Sequence, residues 1–360
     1  MAKLGEYVNI KTGKLDANAS SENGKYPFFT CAIEPLRIDT YSYDCECVLV
    51  AGNGDLNVKY YSGKFDAYQR TYIIESCDKS KLYVPYMYYF LDKYVETLRK
   101  LSIGGVIKYI KLGNLTDAEI PIPELSIQKK IVFNLDKVTH TIDTCNAILE
   151  KLDLLVKSRF IEMFGNVETK KNMAEICSII TDGTHQPPKF TQYGIPFLFV
   201  SNIATNEIVY NAEKFISEET YNELYKRTPI EVGDIVLSTV GSYGHPAIVK
   251  TDRKFLFQRH IAYLKPISTI INSSYLHGAI LSDDVQRQID ERVKGIAQKT
   301  LNLSEIRKIV IPIPTLELQQ QFAAFVEQTD KSKLAVKQVL EKAETLKKAL
   351  MQEYFGQEKL

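Results

Sequence analysis

Ala118-Glu119-Ile120-Pro121-Ile122-Pro123-Glu124-Leu125 runs into a long periodic segment that closes on Phe164-Gly165. A second stretch, Ile309-Val310-Ile311-Pro312-Ile313-Pro314-Thr315-Leu316, runs into another that closes on Phe355-Gly356. The interval between the copies is constant: 311 − 120 = 191 at the isoleucine before the first proline, 319 − 128 = 191 at Gln128 and Gln319, and 355 − 164 = 191 at the last phenylalanine. Loops accept insertions at small entropic cost. An interval held to the residue therefore marks a rod whose length matters, inside a chain built as a repeat. Prolines at alternate positions fix φ and remove two donors, so Ile-Pro-Ile-Pro is an extended lead-in and not helix. Beyond it Leu135, Val138, Ile142, Cys145, Leu149, Leu152 and Val156 recur at steps of three and four, the stripe of a helix packed along another helix. In the second copy Val336, Val339, Ala343, Leu346 and Leu350 make a stripe of the same kind. At the helical rise, Leu125 to Phe164 spans roughly 60 Å. Gly165 and Gly356 stand where helices commonly stop. Either helix alone would leave its stripe in water, so the two are expected to pair, antiparallel as in a pseudo-two-fold repeat.

With 360 residues the chain has room for two or three domains, each with a core. Its six cysteines (Cys31, Cys45, Cys47, Cys77, Cys145, Cys177) form no CxxC pair. They read as reduced thiols in a cytoplasmic protein. No signal-peptide pattern or 18-residue apolar span stands out, so no membrane association is expected. Formal net charge is +1. Residues 1–115 hold 15 Lys+Arg against 13 Asp+Glu, and residues 167–306 hold 15 against 16. Were nucleic acid the partner, the positive potential would have to be concentrated in a patch.

Ahead of the first lead-in, short apolar pieces alternate with turn chemistry: Leu4 to Ile10, Tyr26 to Thr30, Cys47 to Ala51, Val58 to Tyr61 and Tyr68 to Ile74, then a helix through Tyr86 to Leu91. This is the pattern of a small α+β domain. Fourteen of the 22 tyrosines lie there, filling a core or lining a binding face. The stretch from 167 repeats the theme in looser register. Gly241 answers Gly54 at an offset of 241 − 54 = 187, and Phe257-Gln258-Arg259-His260 answers Tyr68-Gln69-Arg70-Thr71 at 258 − 69 = 189. Gly295 and Lys299 answer Gly104 and Lys108 at 299 − 108 = 191. The expected organisation is therefore a first globular domain at 1–117, a helical region at 118–166, a second globular domain at 167–308 and a second helical region at 309–360.

Catalytic apparatus is hard to find. Gln186-Pro187-Pro188-Lys189 has the prolines of an amino-methyltransferase loop without its amide or its aromatic. Gly52-Asn53-Gly54 reads as a hairpin turn, no GxxxxGK[ST] loop occurs, and the five histidines have no ligand spacing. Groups suited to base edges and phosphates are present instead. In the first half they are Asn53, Lys59, Gln69, Arg70 and Lys108. In the second they are Thr184, His185, Gln186, Ser238, Tyr243, His245, Gln258, Arg259, His260 and Lys299. Taken singly, each also fits an ordinary polar surface residue, and Gln69 and Gln258 fit a role in satisfying backbone groups.

The whole chain resembles the specificity subunit of Type I restriction-modification systems. The likeness rests on Thr12-Gly13-Lys14-Leu15-Asp16-Ala17-Asn18, Gly24 to Thr30, Ala51-Gly52-Asn53-Gly54-Asp55, Ala67 to Thr71, Thr181 to Pro188, Ser201-Asn202-Ile203 and the two Ile-Pro-Ile-Pro lead-ins. It departs where the family usually shows Glu-Gln after the lead-in; here stand Ile127-Gln128 and Leu318-Gln319. The resemblance implies an α+β chain in which two target-recognition domains are separated by two long helices paired as an antiparallel coiled coil. It implies a non-enzymatic subunit: each domain reads half of a bipartite double-stranded DNA target, and the helices set the gap and dock two methyltransferase subunits. Translocase-nuclease subunits would join for restriction. S-adenosylmethionine, and ATP with magnesium, would then belong to those partners and no cofactor to this chain. The recognition subunit of a fused restriction-methylation enzyme, or an enzyme with an unseen active site, are the other readings.

Overall fold

In the structure, a computed structural model that describes residues 1–295 and 299–356, the chain divides into two compact units. Unit 1 comprises Met1–Asn146 together with the chain from Gln338 onward, and unit 2 is Ala147–Lys337. Residues 357–360 of the second helical region lie outside the described residues.

Unit 1 contains β1 (Ala2–Lys3), β2 (Val8–Thr12), β3 (Tyr26–Phe29), β4 (Leu36–Ile38), β5 (Tyr43–Ala51), β6 (Val58–Ala67), β7 (Thr71–Ser76), α1 (Val84–Leu101), α2 (Leu112–Thr116), β8 (Glu119–Ile120) and the start of α3 (Leu125–Phe164). Six strands form one sheet in the order β2-β7-β5-β6-β3-β4, with β3 parallel to β6. The apolar run in β5 is continuous because both faces of that strand are covered. Val48 and Val50 pack with α1, whereas Cys47 and Leu49 on the opposite face pack with Phe29, Phe65 and Ile73.

Unit 2 contains β9 (Lys170–Asn172), α4 (Met173–Ile176), β10 (Cys177–Asp182), β11 (Ile195–Leu198), β12 (Lys214–Ile216), α5 (Glu218–Tyr225), β13 (Ile235–Ser238), β14 (Pro246–Ile248), β15 (Leu256–Phe257), β16 (Ile261–Pro266), α6 (Ser273–Ile280), α7 (Asp283–Arg292), α8 (Leu303–Ile306), β17 (Val310–Pro312) and the start of α9 (Leu316–Phe355). Its strand pairing repeats that of unit 1, but as two sheets, β10-β16-β13-β14 and β12-β11-β15. Residues 249–255 interrupt what is one strand, β6, in unit 1. The offset grows from 195 − 26 = 169 at β3 and β11, through 237 − 50 = 187 at β5 and β13, to 311 − 120 = 191 at β8 and β17. The extra residues of unit 2 therefore fall on connections: around 199–213, around α5, and at 249–255.

Both helices are 40 residues long, and each unit takes the first part of one and the last part of the other. In unit 1, Ile131 of α3 and Met351 and Phe355 of α9 close the core over Tyr86. In unit 2, Phe322 of α9 and Phe160 and Phe164 of α3 close it over Tyr275. These helix positions correspond at 191. Such an exchange of ends requires antiparallel pairing, and side-chain bonds agree. Asn134 Nδ2 donates to the Tyr354 hydroxyl at 3.3 Å in unit 1, and Lys333 Nζ to Asp153 Oδ1 at 2.6 Å in unit 2. The fold is the anticipated one: two α+β domains, an internal repeat, and two long helices in coiled-coil contact.

The stripe read for α3 is buried or half-buried throughout. The stripe read for α9 is partly wrong, since Val339 and Leu346 are each 49% exposed. Leu340 and Lys347 are the half-buried positions. Lys347 lies near Asp92, whose carboxyl burial pushes above its usual range, with the ammonium opposing. A lysine can cover apolar surface with its stem, so a stripe drawn through apolar letters alone slips by one.

Gln128 and Gln319, both fully buried, fasten each lead-in. Gln128 Nε2 donates to Lys81 O (2.7 Å) and Pro123 O (2.8 Å), and its Oε1 accepts from Tyr83 N (2.9 Å). Gln319 repeats the set on Ile270 O (3.2 Å), Pro314 O (3.0 Å) and Asn272 N (2.8 Å). The preceding residues, Ile127 and Leu318, are 48% and 38% exposed, so the departure from Glu-Gln falls at an outward position.

His277 on α6 supplies a pH test of unit 2. Its Nε2 stands 3.2 Å from Asn206 O and 3.1 Å from Pro246 O, so that nitrogen carries the hydrogen. Burial holds its pKa below the ordinary histidine value; Lys250 acts in the same direction, and the two carbonyls and Asp330 oppose. A depressed histidine leaves stability intact above about pH 6.5 and removes it as the pH falls, because only the unfolded chain takes up the proton readily. Thermal melting of unit 2 is expected to drop between pH 7.5 and 5.5, and to drop less in His277→Gln, whose amide still donates. An equal slope in both proteins would place the effect elsewhere.

Candidate nucleic-acid interface

The two units tie the same backbone knot. In unit 1 Gly13 N donates to Thr71 O (3.0 Å), Lys14 N to Ala67 O (3.2 Å), Gln69 N to Leu15 O (2.9 Å), Gly52 N to Arg70 O (2.8 Å), Gly54 N to Lys108 O (3.0 Å) and Ile110 N to Gly52 O (2.9 Å). In unit 2 Gly183 N donates to Ile261 O (3.1 Å), Thr184 N to Phe257 O (3.0 Å), Arg259 N to Thr184 O (3.0 Å), Thr239 N to His260 O (3.0 Å), Gly241 N to Lys299 O (3.1 Å) and Leu301 N to Thr239 O (2.8 Å). Glycine is required where the chains press together. A Cβ on Gly13 or Gly183 would lie 2.2 Å from the carbonyl oxygen of Ala67 or Phe257.

These bonds correct one correspondence. They pair Gln69 with Arg259 and Arg70 with His260, while Gln258 takes the place of Tyr68, an offset of 259 − 69 = 190. Laying Gln69-Arg70 on Gln258-Arg259 at 189 followed side-chain identity; the turn, closed by Thr71 N on Tyr68 O and by Ile261 N on Gln258 O, sets the register one residue later.

In unit 1 the knot gathers Asn53, Gln69, Arg70 and Lys108. Asn53 is half-buried and the other three are exposed. Gln69 Nε2 donates to Asp16 Oδ1 at 2.8 Å. Among the described residues the Arg70 guanidinium makes no hydrogen bond or ion pair, which leaves its fork free for an acceptor. Lys59 stands apart, donating to Ala32 O at 2.7 Å and to Asn57; burial lowers its pKa.

Around the knot of unit 2 lie Tyr243, His245, Gln258, Arg259, His260 and Lys299. The Tyr243 hydroxyl donates to Asp290 Oδ1 at 3.0 Å, and the Lys299 ammonium sits 5.9 Å from the Tyr243 ring centroid. His245 Nδ1 is 3.0 Å from Asn206 Oδ1. Arg259 Nε donates to His260 Nε2 at 3.4 Å, and burial followed by that guanidinium lowers the His260 pKa. Ser238 is a correction. It is fully buried, its Oγ accepting from His245 N at 2.9 Å, so it holds the loop and cannot reach a base edge.

Thr184, whose backbone belongs to the knot, leads with His185 and Gln186 into a cleft of about 530 Å³ shared with Pro187, Lys189 and, from α5 and its end, Glu223 and Arg227. Asp182 joins the walls, 2.8 Å from His185 Nε2 and 2.9 Å from Arg227 Nη2. Neither Arg227 nor the cleft was singled out from the sequence, because α5 is an insertion without counterpart in unit 1. Beside the knot of unit 1, the run 97–116 holds Arg99, Lys100, Lys108 and Lys111 and no acidic residue. In unit 2 the run 292–304 likewise holds Arg292, Lys294 and Lys299 and no acid. Acids from outside these runs answer part of that charge, Asp55 with Arg99 at 3.1 Å and Glu305 with Lys294 at 4.0 Å, whereas Lys100 and Lys108 form no ion pair among the described residues. Among the described residues no group of three or more His, Cys, Asp or Glu could hold a metal ion, and no helix is long and apolar enough to cross a membrane.

The family description "Type I restriction modification DNA specificity domain" matches residues 1–154 and 166–346. The chain belongs to this family. Among curated relatives, the Type I restriction enzyme EcoDI specificity subunit of Escherichia coli is 38% identical over 155 residues, 43% of this chain and 34% of that protein. The EcoBI specificity subunit, also of Escherichia coli, is 24% identical over 315 residues, 79% of this chain and 66% of that protein. The chain thus spans about a third of the first relative and just under two thirds of the second. The specificity-domain fold is also seen in the crystal structure of the Type I restriction-modification system S subunit from M. genitalium. That structure superposes at a TM-score of 0.65 with 16% identity, over 99% of this chain and 96% of that one. The family match covers both units, so both knots belong to specificity domains.

Proposed function

We propose that this chain is the non-catalytic DNA-specificity subunit of a Type I restriction-modification complex, residing in the cytoplasm. Each unit reads one half of a bipartite double-stranded target. The paired helices set the number of base pairs between the halves and dock two methyltransferase subunits, with translocase-nuclease subunits joining for restriction. S-adenosylmethionine, ATP and magnesium are held by those partners. The observation that carries the reading is the repeated knot: one set of main-chain bonds in two places, displaying Asn53, Arg70 and Lys108 in one unit and Val240, His260 and Lys299 in the other. A common scaffold that keeps one lysine and changes Asn53 to Val240 and Arg70 to His260 suits two readers of different sequences. Main-chain geometry positions them, and base-edge contacts specify.

Long-read methylome sequencing of the host with and without this gene tests the proposal. A bipartite adenine-methylation motif should vanish with the gene; persistence of every motif would refute it. Within the motif, Arg70→Ala is expected to relax one half-site and Arg259→Ala the other, each costing about 1–3 kcal/mol of discrimination. Uniform weakening on all DNA sequences would instead make them phosphate contacts.

A further inference from the structure

Unit 1 carries an apolar feature that its own fold leaves uncovered. Ile103 and Tyr109 exchange main-chain hydrogen bonds (3.0 and 2.9 Å), closing a tight loop over Gly104, Gly105, Val106, Ile107 and Lys108. Gly104 takes φ +118°, and a Cβ there would meet Ile107 O at 2.5 Å, so the bend is built for glycine. Its tip is fully in solvent: Val106 is 104% exposed and Ile107 is 62% exposed. The stalk is firm, with Lys108 O bonded to Gly54 N, Ile110 N to Gly52 O, and the Tyr72 hydroxyl donating to Ile110 O at 3.2 Å. Two adjacent aliphatic side chains held out by a braced stalk are unfavourably exposed to water unless something covers them.

What covers them follows from the surroundings. The tip springs from the run 97–116, which has four cations and no acid. Among the described residues Lys100 and Lys108 form no ion pair. The stalk is fastened to the Gly52–Gly54 turn, whose Gly52 amide is bonded to the carbonyl of Arg70, the residue with the unengaged guanidinium. Arg99 is taken up by Asp55 at 3.1 Å, but an apolar point next to the unpaired Lys108 matches a DNA groove, where thymine methyls offer apolar surface among the polar base edges and phosphates line the rims.

We propose that residues 103–109 form an apolar probe that enters the DNA major groove, packs Val106 and Ile107 against thymine methyls, and sets Lys108 on the adjoining phosphate. This rests on the reading of unit 1 as a DNA reader and adds a specificity contact made by carbon and not by hydrogen bonds.

The test uses the full chain assembled with its methyltransferase subunits and two duplexes of equal length, one carrying the site methylated in the host and one with that site scrambled. Val106→Ser with Ile107→Ser should lower affinity for the cognate duplex about tenfold, the scale of one mismatched base pair, and change the scrambled one less than about twofold. Lys108→Ala should weaken both alike and reduce the salt slope by about one. Val106→Leu with Ile107→Val should keep the cognate affinity. Unchanged cognate binding by the serine variant would overturn the proposal. So would a folded serine variant, by circular dichroism, that no longer assembles with methyltransferase subunits, because the tip would then be a protein contact. A wild-type complex that fails to tell the two duplexes apart would remove the DNA-reading function itself, and the proposal with it.

Discussion

Gln128→Ala is expected to lower the melting temperature of unit 1 by about 10 °C. The substitution strips partners from the amide of Tyr83 and the carbonyls of Lys81 and Pro123, all bonded to a side chain that is itself fully buried. Leaving such groups unpaired costs about 1–3 kcal/mol each, and even partial relaxation leaves a loss of about 3–5 kcal/mol. For a domain of this size each kcal/mol is worth roughly 2–4 °C. Gln128→Glu separates hydrogen bonding from packing. It keeps the shape but cannot donate to two carbonyls, so it should be at least as damaging as alanine. A mild Glu variant beside a severe Ala variant would make this a matter of volume, and thermal denaturation followed by circular dichroism decides between them. Gln319 should behave likewise in unit 2.

Seven residues inserted into both helices, after Asn146 in α3 and after Lys337 in α9, should widen the gap between half-sites by about three base pairs. The insertion adds about 10 Å of helix against roughly 3.4 Å per base-pair step. A heptad also brings the packing stripe back to nearly the same face, so the pairing survives. The half-sites themselves should remain as before, since neither knot is touched. Methylation motifs read from DNA modified by the reconstituted complex measure the gap directly, and an unaltered gap would sink the idea that the helices meter it.

The helices were legible because their signals are local and redundant. Proline lead-ins, a stripe at steps of three and four, and Phe-Gly stops placed Leu125–Phe164 and Leu316–Phe355 from sequence alone. The misplaced part of the second stripe shows the limit of that signal. Lys347 takes a facing position with its stem, and a pattern of apolar letters passes over it. The sheets were legible as strands but not as partners: nothing in residues 249–255 announces that they split one long strand into β14 and β15. Site residues were harder still. Ser238 looks like a surface hydroxyl until the chain around it is folded, and the correspondence of Gln69 with Arg259 depends on which carbonyl closes a turn. Nothing in the sequence singles out Val106 and Ile107, and only their exposure in the fold does so.

The exchange of helix ends has a consequence for the order in which the molecule is made. Unit 1 is encoded first, yet Met351 and Phe355, which close its interior over Tyr86, are nearly the last described residues to leave the ribosome. Unit 2, whose segments are contiguous, has every strand and helix it needs once Lys337 is synthesised. The domain born first is therefore finished second, and for some 200 residues of synthesis, at about 5–20 residues per second, its open apolar floor must wait for the far end of the chain.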